Sequence, residues 1–240
     1  MSNPIQFVSL GPGDPELVTL KALKILRQAE IIFCPATRGK QSVSSRATEI
    51  LTALAIDSKT WRPFVLPMSK RREDARQVYD RLFEEARTAY DSGKRVAIVA
   101  EGDAGFYSSI QYIYERFRQA EIPVSRVAGI PAFIAAGALA GIHIAKQEEQ
   151  INVIPGTASF EEIQEKIKEG TTIVVMKLSS CQEAIQACLH RSDQATDFHY
   201  FENIGTENEY YTHDVSTISG RNFPYFSLLI IQPRPAKNSQ

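Results

Sequence analysis

The first 35 residues run through a strand, a glycine-rich turn, a helix and a second strand, and this order limits the possible folds more than any other feature. Residues 5–10 read as a strand that stops at the turn Gly-Pro-Gly-Asp-Pro of residues 11–15. Residues 19–29 carry apolar side chains on one helical face. Residues 31–35 form a continuous apolar run, which is typical of a strand covered on both faces. A β-α-β unit of this kind predicts a parallel sheet.

Helices and strands continue to alternate along the 240 residues, a length that suits one large α/β domain or two small ones. Further helices are predicted at residues 45–54, 72–92, 107–118, 132–140, 159–168 and 180–190. Further strands are predicted at residues 95–100, 124–127, 151–154, 172–176, 199–202 and 226–232. The pattern restarts after residue 121, so we expect an α/β fold of two domains, residues 1–121 with a mostly parallel sheet and residues 122–240 with a mixed sheet.

The charge balance excludes a strongly charged surface over the whole molecule. Lys and Arg number 27 against 28 Asp and Glu, so the net charge is −1, and no global field draws the protein to nucleic acid or to an anionic membrane. No apolar run reaches the roughly 18 to 20 residues that span a bilayer, and the N-terminal residues lack the regions of a signal peptide. We therefore expect a cytoplasmic protein that meets charged ligands through local groups.

The spacing of cysteines and histidines is not that of a disulfide framework or a metal site. The three cysteines, Cys34, Cys181 and Cys188, are an odd number without a Cys-x-x-Cys spacing, and we interpret them as core or near-surface thiols. The four histidines show no paired-ligand spacing. We therefore predict no metal site.

Two glycine-containing loops, at residues 11–14 and 101–105, follow the carboxyl ends of predicted parallel strands, where open α/β sheets bind their ligands. Neither loop has the glycine pattern of a dinucleotide-binding turn or the lysine of a P-loop. An ordinary turn between strand and helix is the alternative for each loop. Asp103 is a candidate acceptor of ligand hydrogen bonds or a general base, and a helix N-cap is the alternative.

Five basic residues lie between residues 62 and 76, with apolar residues among them. They are Arg62, Lys70, Arg71, Arg72 and Arg76. Together they are candidates for the recognition of a polyanionic ligand. The alternative is the solvated start of a helix.

Three segments carry a resemblance to a known family. Residues 8–17 read Val-Ser-Leu-Gly-Pro-Gly-Asp-Pro-Glu-Leu, and residues 101–108 read Glu-Gly-Asp-Ala-Gly-Phe-Tyr-Ser. Residues 129–132 read Gly-Ile-Pro-Ala and precede the alanine-rich helix. In this order they resemble the opening signature, the Gly-Asp-Pro loop and the third loop of the tetrapyrrole methylases, the S-adenosylmethionine-dependent enzymes of corrin and sirohaem synthesis. The resemblance spans residues 5–232.

Three further segments resemble one branch of that family, the precorrin-2 C(20)-methyltransferases and the related cobalt-factor II enzymes. They are residues 31–35, 66–68 and 174–178. The sequence also departs from the family pattern, since Ala104 replaces the proline of the Gly-Asp-Pro loop and Glu101 precedes its glycine.

The resemblance implies two α/β domains with S-adenosylmethionine folded in the cleft between them, usually in a homodimer. The residues that would bind this cofactor are Pro12, Glu101, Gly102, Asp103, Phe106, Pro131, Ala132, Met176, Ile204 and Gly205. The candidate partners for the carboxylates of the tetrapyrrole are Arg62, Lys70, Arg71, Arg72 and Lys177. Asp103 is the candidate base that accepts a proton after methyl transfer.

The activity implied is methyl transfer to the C(20) meso carbon of precorrin-2 or cobalt-factor II in cobalamin biosynthesis. One alternative is another branch of the family, which would methylate a different ring carbon, an RNA ribose or a modified histidine of a protein. The near-neutral net charge speaks against RNA. A non-catalytic tetrapyrrole-binding protein with the same fold is the other alternative, and it need not bind S-adenosylmethionine.

Overall fold

The computed structural model describes residues 3–38, 43–66, 72–191 and 196–234. The chain divides into two compact units, Met1–Pro131 and Ala132–Gln240. The division falls after residue 131 rather than after residue 121, because the strand at Val124–Val127 pairs with the first strand of the chain. The strand expected to open the second domain is therefore part of the first sheet.

The first unit contains a six-stranded sheet. Its strands are β1 (Ile5–Ser9), β2 (Ile31–Arg38), β3 (Val43–Ser44), β4 (Trp61–Leu66), β5 (Val96–Ala100) and β6 (Val124–Val127). Its helices are α1 (Leu20–Gln28), α2 (Arg46–Ala53), α3 (Arg72–Asp91) and α4 (Gln111–Gln119). The strand order is β3-β2-β5-β1-β6, with β4 paired to β2, and of the described pairings all but β2–β3 are parallel. The carboxyl ends of β5, β1 and β6 therefore lie side by side.

Apolar residues cover both faces of this sheet, since neighbouring residues of β1 enter different clusters. Phe7 packs with Phe117 of α4, whose ring centroid lies 6.4 Å away. Val8 belongs to the opposite cluster, with Leu26 of α1 and Ile50 of α2. All five residues of β5 are buried. The continuous apolar runs in the sequence are thus the strands with two covered faces.

The second unit contains a five-stranded mixed sheet. Its strands are β7 (Ile151–Ile154), β8 (Thr172–Met176), β9 (Thr196–Glu202), β10 (Tyr210–Thr212) and β11 (Ser227–Pro233). Its helices are α5 (Ala132–Ala140), α6 (Phe160–Lys168), α7 (Gln182–His190) and α8 (Val215–Ser219). The order is β10-β9-β11-β8-β7, and only β7 and β8 pair in parallel among these described strands.

The helix α6 of the second unit begins at a complete capping box. The Ser159 side chain accepts a hydrogen bond from the N–H of Glu162 at 3.2 Å, and the Glu162 carboxylate accepts one from the N–H of Ser159 at 2.7 Å. This arrangement satisfies two backbone donors that a helix start leaves open.

The basic stretch between residues 62 and 76 is not a single element. Trp61–Leu66 is strand β4, and helix α3 begins only at Arg72. Pro63 argues against a central strand, but an edge strand tolerates proline because one of its sides needs no N–H partner. The pattern also does not predict β10 and α8, because three and five residues are too few to display a period.

Among the described residues, no helix combines the length and the apolar character that crossing a bilayer requires.

Two of the three leucines of α1 give a matched test of this packing. Leu26 is 1% exposed and Leu20 is 85% exposed. Leu26→Ala should lower the free energy of unfolding by about 2–5 kcal/mol, because it leaves a cavity in a packed cluster. Leu20→Ala should change it by less than about 0.5 kcal/mol. Urea unfolding followed by circular dichroism measures both, and equal losses would contradict the packing of α1 described here.

Candidate functional site

The loops after β1 and β5 are joined through their backbones. Gly11 donates its N–H to the carbonyl of Gly102 at 3.1 Å, and Gly102 donates its N–H to the carbonyl of Gly11 at 2.6 Å. Gly102 has a φ of +67°, in the left-handed region that favours glycine. Pro12, the next residue of the first loop, is buried. The reciprocal pair therefore ties the two predicted ligand loops to each other.

The carboxylate of Asp103 holds backbone groups of two loops. Its Oδ1 accepts a hydrogen bond from the N–H of Gly105 at 2.7 Å. Its Oδ2 accepts one from the N–H of Gly129, in the loop after β6, also at 2.7 Å. The N-cap of α4 is Ile110, which makes no capping side-chain hydrogen bond. The alternative that Asp103 caps a helix is therefore wrong, and Asp103 instead connects the loops after β5 and β6.

Ser9, the last residue of β1, lies where these loops meet. Its side chain is fully buried. The hydroxyl donates a hydrogen bond to the carbonyl of Val127 at 2.6 Å and accepts one from the N–H of Ala104 at 2.8 Å. Its oxygen is 3.5 Å from Oδ2 of Asp103. Sequence reasoning does not single out Ser9. A polar hydroxyl residue at the end of an otherwise apolar strand is the signal that could have found it.

The loop after β6 passes so close to Ser9 that only glycine fits at position 129. A Cβ atom on Gly129 would lie 2.3 Å from the Cβ of Ser9 and 2.7 Å from the carbonyl oxygen of Gly102. The same loop leads to Pro131, the last residue of the first unit, and Ala132 is the first residue of α5. Three of the predicted segments thus reach the carboxyl ends of adjacent strands.

Glu101 and Arg46, both in the first unit, interact electrostatically. Burial raises the pKa of Glu101, while the positive charge of Arg46 opposes this shift and the negative charge of Glu49 adds to it. Burial lowers the pKa of Arg46, and attraction to the two carboxylates opposes that shift. Arg46 is the first residue of α2, which Ser45 caps. Sequence reasoning misses Arg46, because nothing local links it to a residue 55 positions away.

The end of the loop after β5 is held by aromatic side chains. Phe106 is half-buried and meets the ring of Tyr107 edge-on, with 4.7 Å between the centroids. Tyr107 has a φ of +48° and is 44% exposed. The hydroxyl of Tyr79, on α3, donates a hydrogen bond to Oγ of Ser109 at 2.5 Å. Helix α3 therefore anchors the segment that carries Phe106.

Besides Ala132, three predicted cofactor residues belong to the second unit. Met176 ends β8 and is half-buried, while Ile204 is buried. The N–H of Gly205 donates a hydrogen bond to Oε2 of Glu209 at 2.7 Å. The N–H of Gly205 therefore already has a partner. Gly205 can still contact a ligand through its carbonyl, or let a ligand lie close to the backbone because it has no side chain.

Of the predicted cationic residues, the structure describes the side chains of Arg62 and Lys177. Arg62 pairs in register with Phe33, and Phe33 pairs with Ile98, the middle residue of β5. Arg62 therefore lies at the height of the middle of β5 and not at its carboxyl end. Its guanidinium donates to the carbonyls of Lys59 and Trp61, at 3.1 and 2.7 Å. Lys177 belongs to the second unit and has a φ of +58°. Lys70, Arg71 and the side chain of Arg72 lie outside the described residues.

The cysteines are thiols of the interior. Cys34, Cys181 and Cys188 are all buried and form no disulfide. Burial raises the pKa of Cys34 and of Cys188 to about 11, so both are protonated at neutral pH. In the part of the chain that the structure describes, no group of three or more His, Cys, Asp or Glu side chains could hold a metal ion.

The sequence model of the Tetrapyrrole (Corrin/Porphyrin) Methylases matches residues 4–218. The chain therefore belongs to this family of methylases, as its three loops imply.

Two named relatives are similar to this chain over most of its length. The precorrin-2 C(20)-methyltransferase of Sinorhizobium sp is 27% identical over 229 residues, which cover 93% of each chain. The probable cobalt-precorrin-2 C(20)-methyltransferase of Methanocaldococcus jannaschii is 29% identical over 187 residues, 78% of this chain and 77% of the relative.

The fold is that of solved members of the family. The uroporphyrin-III C-methyl transferase of Thermus thermophilus, in complex with S-adenyl homocysteine, has a TM-score of 0.67 to this chain at 19% identity. The match covers 96% of this chain and 97% of the other.

The close approach at Gly129 predicts a specific loss of stability. Gly129→Ala should lower the free energy of unfolding by about 1–3 kcal/mol, because the added Cβ meets Ser9 and a backbone carbonyl and the loop must shift. Gly220→Ala is the matched control, since a Cβ there meets nothing within 4 Å. Chemical unfolding of both variants tests the prediction, and a Gly129→Ala variant as stable as the control would refute it.

The raised pKa of Glu101 predicts a pH-dependent stability. Folding disfavours the charged form of this carboxyl. The wild type therefore loses stability as the pH rises from the ordinary pKa of 4.5 through the raised pKa of the folded state. Glu101→Gln does not titrate, and its free energy of unfolding should therefore rise relative to wild type across this range. Urea unfolding between about pH 4.5 and about pH 8 measures the difference. Glu207→Gln, at an exposed position of the second unit, is the control, and a difference for Glu101→Gln that falls with pH would contradict the assignment.

Proposed function

We propose that this protein is an S-adenosylmethionine-dependent methyltransferase that methylates C(20) of precorrin-2, or of its cobalt-containing form, in cobalamin biosynthesis. The observation that carries the proposal is the similarity to two C(20)-methyltransferases over 93% and 78% of the chain. The Thermus enzyme in complex with S-adenyl homocysteine supports the choice of methyl donor. The family's name supports a tetrapyrrole substrate.

The joined loops of the first unit suit a cofactor that is bound largely by backbone groups. The proposed contacts there are Pro12, Glu101, Gly102, Asp103, Phe106 and Pro131. Ala132, Met176, Ile204 and Gly205 are the proposed contacts from the second unit. Gly205 would act through its carbonyl or its close approach, because Glu209 occupies its N–H.

The chain's main task in this reaction is alignment. S-adenosylmethionine supplies both the electrophilic methyl group and the leaving group. The residues must hold the ring carbon about 3 to 3.5 Å from that methyl group, and such alignment is worth roughly 7–11 kcal/mol of the barrier. The reciprocal hydrogen bonds of Gly11 and Gly102 suit this task, because they fix the two loops against each other.

The acidic side chains of the macrocycle call for cationic partners. We propose Arg62, Lys70, Arg71, Arg72 and Lys177 for this role. We also propose that the protein acts as a homodimer, as the resemblance to the family implies, and that it is located in the cytoplasm.

An anaerobic assay with isotopically labelled S-adenosylmethionine tests the reaction. Precorrin-2, with and without cobalt, is expected to gain one methyl group at C(20), identified by mass spectrometry and carbon NMR of the product. Uroporphyrinogen III, offered under the same conditions, is the control and should not be methylated.

Other outcomes would replace the proposal. Methylation of the control macrocycle, or of another carbon of precorrin-2, would assign the chain to a different branch of the family. Binding of precorrin-2 without binding of S-adenosylmethionine would identify a tetrapyrrole-binding protein without methyltransferase activity.

A further inference from the structure

Ala104 makes a hydrogen bond that proline cannot make. The resemblance to the family places proline at this position, and proline has no N–H to donate. Here the N–H of Ala104 donates to Oγ of Ser9 at 2.8 Å, and the Ala104 side chain is 1% exposed. Proline would restrain the loop through its fixed φ, whereas alanine leaves φ free. The contact with Ser9 restrains the same residue by a different means.

Ser9 uses its hydroxyl both as a donor and as an acceptor. A hydroxyl has one proton and two acceptor lone pairs. The proton goes to the carbonyl of Val127 at 2.6 Å, and one lone pair receives the N–H of Ala104. Because Ser9 ends β1, Ala104 follows β5 and Val127 ends β6, one buried oxygen connects three neighbouring strands at their carboxyl ends.

Asp103 extends this connection. Its two oxygens accept the N–H groups of Gly105 and Gly129. We use the term loop clamp for the Ser9 hydroxyl and the Asp103 carboxylate together with the backbone N–H groups of Ala104, Gly105 and Gly129. The hydrogen bond of Ala104 joins the loop after β5 to β1, and that of Gly129 joins the loops after β5 and β6, while that of Gly105 lies within the loop after β5.

We propose that Ser9 is a positioning residue, which with Asp103 holds the three loops as one S-adenosylmethionine-binding surface and replaces at Ala104 the restraint that proline provides elsewhere in the family. This inference rests on the proposed function. Asp103 is then an acceptor for loop backbone rather than the base of the reaction, because a proton on either oxygen would weaken a bond to Gly105 or Gly129.

The affinity for S-adenosylhomocysteine, measured by calorimetry, tests the role of Ser9. Ser9→Ala leaves the N–H of Ala104 and the carbonyl of Val127 without their partner, and the Kd should rise about tenfold or more. Ala104→Pro removes the donor and fixes φ, so its Kd should stay within about threefold of wild type. The double variant should bind more tightly than Ser9→Ala alone, because no N–H at position 104 is left unpaired.

Ser159→Ala is the matched control for a general loss of stability. It removes a serine hydroxyl that accepts a backbone N–H at the start of α6, in the second unit. It should cost about 1 kcal/mol of stability and leave the Kd unchanged.

Asp103→Asn separates a positioning role from a proton-accepting one. If Asp103 positions the loops, Asp103→Asn should raise the Kd for S-adenosylhomocysteine, lower kcat at saturating substrates by less than about tenfold and leave the pH profile of kcat as in wild type. If Asp103 is the base, the same substitution should lower kcat by about a hundredfold or more and remove a titration from the pH profile of kcat.

Amide hydrogen exchange reads the clamp directly. In Ser9→Ala, exchange should accelerate at Ala104 and at Gly129. Should Ser9→Ala fail to fold, Asp103→Asn provides the same comparison at Gly105 and Gly129.

The outcomes separate this inference from the proposed function. A wild type that binds S-adenosylhomocysteine no better than Ser9→Ala does, with a measurable Kd for both, overturns the clamp and leaves the methyltransferase proposal intact. A double variant that binds S-adenosylhomocysteine no more tightly than Ser9→Ala overturns the inference that the Ala104–Ser9 hydrogen bond replaces the restraint of proline. A wild type that does not bind S-adenosylhomocysteine overturns the proposed function, and unchanged exchange at Ala104 and Gly129 would then reject the clamp as well.

Discussion

A buried hydroxyl must be hydrogen bonded, and the first unit satisfies this requirement for Ser9 at the meeting point of three loops. The strand order β5-β1-β6 makes it possible, because it places the carboxyl ends of three parallel strands next to one another. Ser9 lies at the end of the central one of these strands and contacts both neighbours. The absence of a side chain at Gly129 is a consequence of the same arrangement, since the backbone passes where a Cβ would stand.

The charges of this protein act locally. The net charge of −1 provides no general attraction for an acidic macrocycle, so any recognition of carboxylates depends on individual cations. Among the described residues, Arg46 is one that sequence patterns do not reveal, and its positive charge opposes the rise in the pKa of Glu101. Glu101 is half-buried, and its negative charge is lost when the carboxylate takes up a proton, so the charge of this region depends on pH.

The order of elements could be predicted from the sequence because it depends on local patterns. The β-α-β start, the buried strand β5 and the helices α1, α2, α3, α6 and α7 follow from apolar runs and helical faces, and the structure contains them. Helix α4 begins at Gln111 rather than at residue 107, because the loop after β5 continues past Tyr107, whose φ of +48° is not helical. Strand β4 contains a proline, which hides an edge strand from a pattern-based prediction.

The site could be predicted only in part. Glycine-containing loops at strand ends indicate where a ligand would bind, but the partners of a side chain depend on residues far along the chain. Ser9 and Ala104 are separated by 95 positions and Asp103 and Gly129 by 26, so no local pattern records either contact. The position of the domain boundary was missed for the same reason, since β6 pairs with β1 from a distance.

Main-chain atoms form both hydrogen bonds between Gly11 and Gly102, and this has an evolutionary consequence. A link made by N–H and carbonyl groups survives the replacement of neighbouring side chains, so the sequence around it can drift while the shape of the loops persists. The TM-score of 0.67 at only 19% identity to the Thermus enzyme is the kind of divergence that such links permit. Position 129 should remain glycine, because any side chain there would displace the neighbouring backbone.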